Sequence, residues 1–92
     1  MTKRIEATVY GRVQGVSFRY YTQKEAIRLN LTGSVANDSD GSVRVIAEGS
    51  EEVLKKMVDY LHIGSPFATV EKVSTTWATA TNEFNKFSVR WR

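Results

Sequence analysis

The segment Gly11-Arg12-Val13-Gln14-Gly15-Val16-Ser17-Phe18-Arg19 brings together the residue types needed to hold an oxyanion. Two glycines let a backbone curl and come close to a bulky tetrahedral group. Where a helix starts at the end of such a segment, its first N–H groups lack intrahelical partners, and the dipole adds partial positive charge. The curled stretch before it contributes further converging N–H groups, an anion-binding nest. Arg19 falls in the expected first helical turn, where its planar fork matches two oxygens of a phosphate. A plain strand-to-helix turn with a solvated arginine fits the same glycine spacing, and the segment alone leaves both readings open.

The elements that must position this segment follow from hydrophobic periodicity. Before it, Ile5, Ala7 and Val9 alternate with Glu6, Thr8 and Tyr10, the pattern of a half-buried strand. After it, residues 18–29 read as a helix with Phe18, Thr22, Ala26 and Leu29 along one face, and Asn30 as its left-handed stop. Two strands are expected at about 31–36 and 42–48, joined through Asn37-Asp38-Ser39-Asp40-Gly41, whose Asp-Gly pair signals a hairpin. A second helix starts after Gly49, capped by Ser50, with Glu51 and Glu52 complementing the dipole. Val53, Leu54, Met57 and Leu61 form its core stripe, and Gly64-Ser65-Pro66 ends it.

The remainder reads as strands at about 68–77 and 84–91, joined by a polar turn at 79–83. In the last of these, Phe87, Val89 and Trp91 point inward, with Lys86, Ser88 and Arg90 outward. The apolar phase of the strand before it shifts between Val70 and Val73, which predicts a bulge there. Strand, helix, strand, strand, helix, strand, with one strand more, is the order of an α+β, ferredoxin-like split βαβ sandwich. That fold is a mostly antiparallel sheet with two helices on one face. It hosts many unrelated sites and does not by itself give a function.

Composition narrows the chemistry. Ninety-two residues, 41% of them hydrophobic, make one domain spanning 1–92. With no cysteine, disulfide frameworks, thiolate metal sites and thiol nucleophiles are all excluded. The chain carries neither the apolar core of a signal peptide at its start nor a run long enough to span a membrane, so a soluble, cytoplasmic protein is expected; a monomer is expected as well, although nothing in the sequence fixes the oligomeric state. A net charge of +3 suits anionic small molecules and nucleic acid about equally. His62 is the only histidine and falls at the end of the second helix, where a C-terminal cap role fits and no local spacing supplies metal-ligand partners. Asp38 and Asp40 read as turn builders, Tyr20 and Tyr21 as packing or surface residues, and Trp77 and Trp91 as core or sheet-face residues. Arg12 either faces the loop or is solvated.

The loop resembles the acylphosphatase signature G-x-V-Q-G-V-x-F-R, with Gly11, Val13, Gln14, Gly15, Val16, Phe18 and Arg19 in place. Leu31-Thr32-Gly33-Ser34-Val35-Ala36-Asn37, followed by Asp40-Gly41-Ser42-Val43, is similar to that family's second block, in which an asparagine ends a strand before a D-G-x-V hairpin. Pro66, Ala68, Val70 and the closing Phe87-Ser88-Val89 also fit, so the resemblance covers essentially the whole chain. Ser17 departs from it, at a position that is often glycine or an aromatic, and so does Ser65, which separates Gly64 from Pro66. The second departure touches a connection outside the expected site.

The resemblance implies hydrolysis of acyl phosphates to a carboxylate and inorganic phosphate. It implies that the backbone N–H groups of Gln14, Gly15, Val16, Ser17, Phe18 and Arg19, with the Arg19 guanidinium, bind the phosphoryl group. Asn37 then orients the attacking water, with no phosphoenzyme, metal or cofactor. The chemistry accommodates this economy. A carboxylate whose conjugate acid has a pKa of about 4 leaves without a general acid, and phosphoryl transfer is governed mainly by positioning and electrostatics. Asn37 offers an acceptor and two donors, enough to hold one water, although turn geometry alone also favours asparagine there.

An RNA-binding module of similar strand–helix order is the competing reading. Such modules stack bases on aromatics of their two central strands. The strand at 42–48 has no aromatic and the first strand offers only Tyr10, so no nucleic-acid partner is expected.

Overall fold

A computed structural model describes residues 2–90. The chain runs β1 (Thr2–Arg12), α1 (Phe18–Arg28), β2 (Thr32–Asn37), β3 (Val43–Ser50), α2 (Glu51–Leu61), β4 (Thr69–Thr79) and β5 (Phe87–Arg90). The expected elements are all present, and Asn30 adopts the left-handed conformation, φ 59°, that stops α1. Trp91, expected to point inward, lies outside the described residues.

The five strands form one sheet in the order β4-β1-β3-β2-β5. Three of the pairings are antiparallel and one, β2 with β5, is parallel. Alternation in β1 buries Ile5, Ala7 and Val9 against the helices, together with Val43, Val45 and Ala47 of β3. From α2 come Leu54, Met57 and Leu61, at the spacing that keeps one helical face on the sheet. From α1 come Phe18, Thr22 and Ala26. Ser50 caps α2, its hydroxyl accepting from the Val53 N–H at 3.4 Å.

The expected bulge is found. Tyr10 pairs with Lys72 and Gly11 with Val70, so Glu71 is the extra residue on β4. This kink falls where β1 hands over to the loop.

The link between the last two strands differs from expectation. Instead of a turn confined to 79–83, residues 80–86 cross the end of the sheet, because β4 and β5 lie on opposite edges. A carboxylate holds the crossing in place. Glu48, almost fully buried, accepts from the N–H groups of Thr81 (2.9 Å) and Asn82 (3.0 Å), the Thr81 hydroxyl (3.1 Å) and the Arg4 guanidinium (3.0 Å). Arg4 also stacks over the Phe84 ring. Residues 84–86 are spent on the crossing, so β5 begins at Phe87 rather than Phe84.

Candidate functional site

The bulged end of β1 releases the chain into the loop ahead of α1. Gly15 (φ 73°) and Ser17 (φ 61°) are left-handed on either side of Val16, which is not. Alternating handedness of this kind curls successive N–H groups toward one point. Those of Gly15, Val16 and Ser17 have no acceptor among the described residues. Ser17 stands at the N-cap position of α1 without a side-chain cap bond, and its carbonyl accepts from Tyr21 N–H at 3.1 Å. The helix therefore starts immediately behind the curl, with its positive end turned to it.

Gly15, Ser17, Phe18 and Arg19 line a cavity of about 410 Å³, which Asn37 borders from the end of β2. Val13, Tyr20, Gln23 and Val89 complete its wall. Arg19 is held by the far edge of the sheet, its Nη1 donating to the Arg90 carbonyl of β5 at 2.9 Å. Asn37 Oδ1 is buried and has no hydrogen-bond partner among the described residues. In a folded chain such an acceptor calls for a partner of its own.

Gln14 and Val16 belong to the loop without lining the cavity. The Gln14 side chain turns to the β2–β3 hairpin and donates to Asp38 O (2.7 Å) and Ser42 O (2.8 Å). It thus ties the loop to the turn that carries Asn37. Within that turn Asp38 accepts from Ser39 N–H, and Asp40 accepts from the Ser42 hydroxyl and N–H. The Ser42 hydroxyl first, and then its N–H, hold the Asp40 carboxyl below its ordinary value. Both aspartates build the turn, as expected.

Val16 is buried and its carbonyl accepts from the Ser65 hydroxyl at 2.7 Å. The expectation that Ser65 stands apart from the site is therefore corrected. The loop after α2 folds back onto the loop after β1, a contact between residues 49 apart that no local pattern could show. Arg12 is exposed and does not line the cavity. His62 is the C-cap of α2, with Nδ1 3.0 Å from the Val58 carbonyl, and also lies off the cavity wall. Tyr20 packs edge-to-face on Tyr21 at 5.3 Å and reaches the cavity rim, a placement that helical periodicity alone did not reveal. Among the described residues no group of three or more histidine, aspartate or glutamate side chains is placed to hold a metal.

Residues 5–89 match the acylphosphatase family model. The chain belongs to the acylphosphatase family. It is 47% identical over 88 residues to an acylphosphatase of Salinibacter ruber, covering 96% of this chain and 93% of that one. The crystal structure of acylphosphatase from Bacillus subtilis superposes with a TM-score of 0.92 at 40% identity, covering 96% of this chain and 98% of that one. An acylphosphatase from Coxiella burnetii gives 0.90 at 36% identity, covering 97% and 93%. As an acylphosphatase, the chain is a hydrolase of acyl phosphates with the ferredoxin-like fold. No helix among the described residues is long and apolar enough to cross a membrane.

Proposed function

We propose that acyl phosphate hydrolysis here proceeds by direct attack of a water held by Asn37 on a phosphoryl group cradled by loop 14–19 and Arg19. The observation that carries this reading is Asn37, a residue that lines the cavity together with Arg19 and whose buried Oδ1 has no partner among the described residues. A water donating one proton to that oxygen has its lone pairs free to face phosphorus. The curled N–H groups and the guanidinium take up charge on the equatorial oxygens as it develops. The new bond joins the water oxygen to phosphorus and the bond to the acyl oxygen breaks. The carboxylate leaves with the bonding pair, and the water's proton passes to the phosphate product or to solvent. Neither metal nor cofactor has a part in this scheme.

The same reading includes a site built within one copy, acting as a monomer in the cytoplasm, with no nucleic-acid partner. On the face of the central strands away from the helices, Arg4 pairs with Glu6 and with the buried Glu48, and Arg44 pairs with Glu6, a face unlike the aromatic platforms that stack bases.

The test is Asn37→Ala, assayed on a simple aromatic acyl phosphate with chelator present. With the water displaced and the phosphate cradle intact, kcat falls while inorganic phosphate inhibits competitively with unchanged affinity. An equal loss of phosphate affinity would assign Asn37 to the cradle instead.

A further inference from the structure

We infer that Ser65 is a positioning residue for the reaction: its hydroxyl fixes the Val16–Ser17 peptide so that the Ser17 N–H faces the phosphoryl group. The inference rests on the reading of loop 14–19 as the phosphate cradle. Ser65 is 2% exposed and donates to Val16 O at 2.7 Å. No peptide bond among the described residues is cis, and across a trans peptide the C=O and N–H point in opposite directions. A Val16 carbonyl fixed toward Ser65, on the protein side, therefore turns the Ser17 N–H the other way. Ser17 is on the cavity wall.

The loop needs such a restraint. Ser17 holds a left-handed conformation that residues with a side chain seldom occupy. Its carbonyl is fixed by Tyr21 N–H and its side chain makes no cap bond, so the peptide before it is the one left to be fixed. Rotation of that peptide would replace an N–H with a carbonyl oxygen, turning an attractive dipole into a repulsive one at a phosphate. The connection after α2 is shaped for contact with the loop. Gly64 is itself left-handed (φ 68°), and a Cβ there would collide with the Phe18 ring. Ser65 O accepts from Ala68 N–H at 3.1 Å, closing a turn around Pro66 that holds Ser65 in place.

Removing the hydroxyl leaves a buried carbonyl unpaired, a state the loop can relieve by rotating the peptide. In Ser65→Ala the inhibition constant of inorganic phosphate is expected to rise about tenfold or more, with kcat falling as well, on the scale of losing one preorganised donor. Ser65→Thr, which keeps the hydroxyl, is expected to stay within about threefold of the parent. Ser65→Cys keeps the shape and weakens the donor, and serves in place of alanine if that variant folds incompletely. In 15N–1H spectra of the folded protein, inorganic phosphate should shift the Ser17 amide strongly in the parent and weakly in the alanine or cysteine variant.

Arg19→Ala, measured alongside, separates the two levels of the reading. If Arg19→Ala weakens phosphate and the Ser65 variants do not, Ser65 is a stabilising contact only and the inference is overturned. If neither affects phosphate affinity, the loop is not the cradle, and both readings fall.

Discussion

The two ends of β1 handle negative charge in opposite ways with nearly the same parts. At its start, Arg4 and two N–H groups of the crossing chain close around Glu48, a carboxylate that belongs to the protein. At its end, an arginine and a curl of N–H groups line a cavity instead. Each end uses one non-glycine residue in the left-handed conformation, Asn82 at φ 60° and Ser17 at φ 61°. The difference is the covalent attachment of the anion. An anion built into the chain is buried with it and contributes to folding. A cavity presenting the same donors is, in the proposed reading, open to an anion that comes and goes. On the function proposed above, similar donor chemistry serves stability at one end and binding at the other, and perturbations should separate along that line.

The largest separation is expected for Arg19→Ala. Loss of a preorganised donor of this kind lowers kcat/KM by about 10²-fold or more. Arg19→Lys should restore little, because an ammonium lacks the planar fork. The melting temperature should fall less than in Glu48→Gln below, since the bond from Arg19 to Arg90 O is worth about 1 kcal/mol. A near-normal rate in Arg19→Ala would end the comparison, because the two ends would then no longer differ in purpose.

Glu48→Gln is the converse. Breaking a buried, hydrogen-bonded pair costs about 3 kcal/mol, the low end of the usual range, because Arg4 keeps Glu6 and Glu83 as partners. For a domain of this size the melting temperature should fall by about 10 °C or more. Rate per folded molecule should stay within about threefold of the parent. A rate loss matching that of Arg19→Ala would show that the crossing chain is coupled to the site.

The binding end was far more legible in the sequence than the clamp. Loop 11–19 is contiguous, so its glycines and arginine can be matched to the family signature locally, although the spacing alone left a plain turn open. Alternation in β1, the Asp40-Gly41 turn, the Ser50 cap and the phase shift in β4 are also encoded within a few residues, and the structure contains each of them. Glu48 gave no signal, because it stands in a strand and its partners lie 33, 34 and 44 positions away. Nothing local distinguishes a buried, bonded glutamate from a solvated one. The crossing of 80–86 was hidden for the same reason, since composition marks a polar connection without saying where in the sheet the two strands it joins will lie. Ser65, 49 positions from Val16, was misread on the same grounds.

Acid should weaken the clamp before it affects the cavity's own donors. Burial, the largest single influence on the Glu48 carboxyl, pushes it up. The Thr81 N–H, Arg4, the Asn82 N–H and the Thr81 hydroxyl together outweigh burial and hold it below its ordinary value. A carboxyl with a lower pKa in the folded state contributes stability that is present above the unfolded value of about 4.3, and lost as pH falls through the folded one. Stability should therefore drop with acid below about pH 4, and Glu48→Gln should have a shallower acid limb. Some slope remains, because Glu25, Asp40 and Glu83 are also held low, chiefly by Arg28, the Ser42 hydroxyl and the Thr81 hydroxyl respectively. Denaturant midpoints from pH 2.5 to 7 measure the difference, and identical acid limbs in parent and variant would remove Glu48 from this role.

The smallest effects are expected at the two left-handed residues, where the ends of β1 are most alike. A side chain at φ near 60° costs about 1 kcal/mol, and glycine removes that strain while adding about 0.5–1 kcal/mol of chain entropy in the unfolded state. The two nearly cancel. Asn82→Gly and Ser17→Gly should both leave stability within about 0.5 kcal/mol of the parent, measured by denaturant unfolding. Function should part them. In the clamp the geometry is already fixed by Glu48, so Asn82→Gly should leave the phosphate inhibition constant unchanged. In the loop, glycine lets the N–H groups explore conformations that face away from the ligand, and binding must then reorder them. Ser17→Gly should raise that constant by about two- to threefold. If both glycine variants bound phosphate as the parent does, backbone restraint at Ser17 would contribute nothing to the cradle. The left-handed residues would then be equivalent at the two ends.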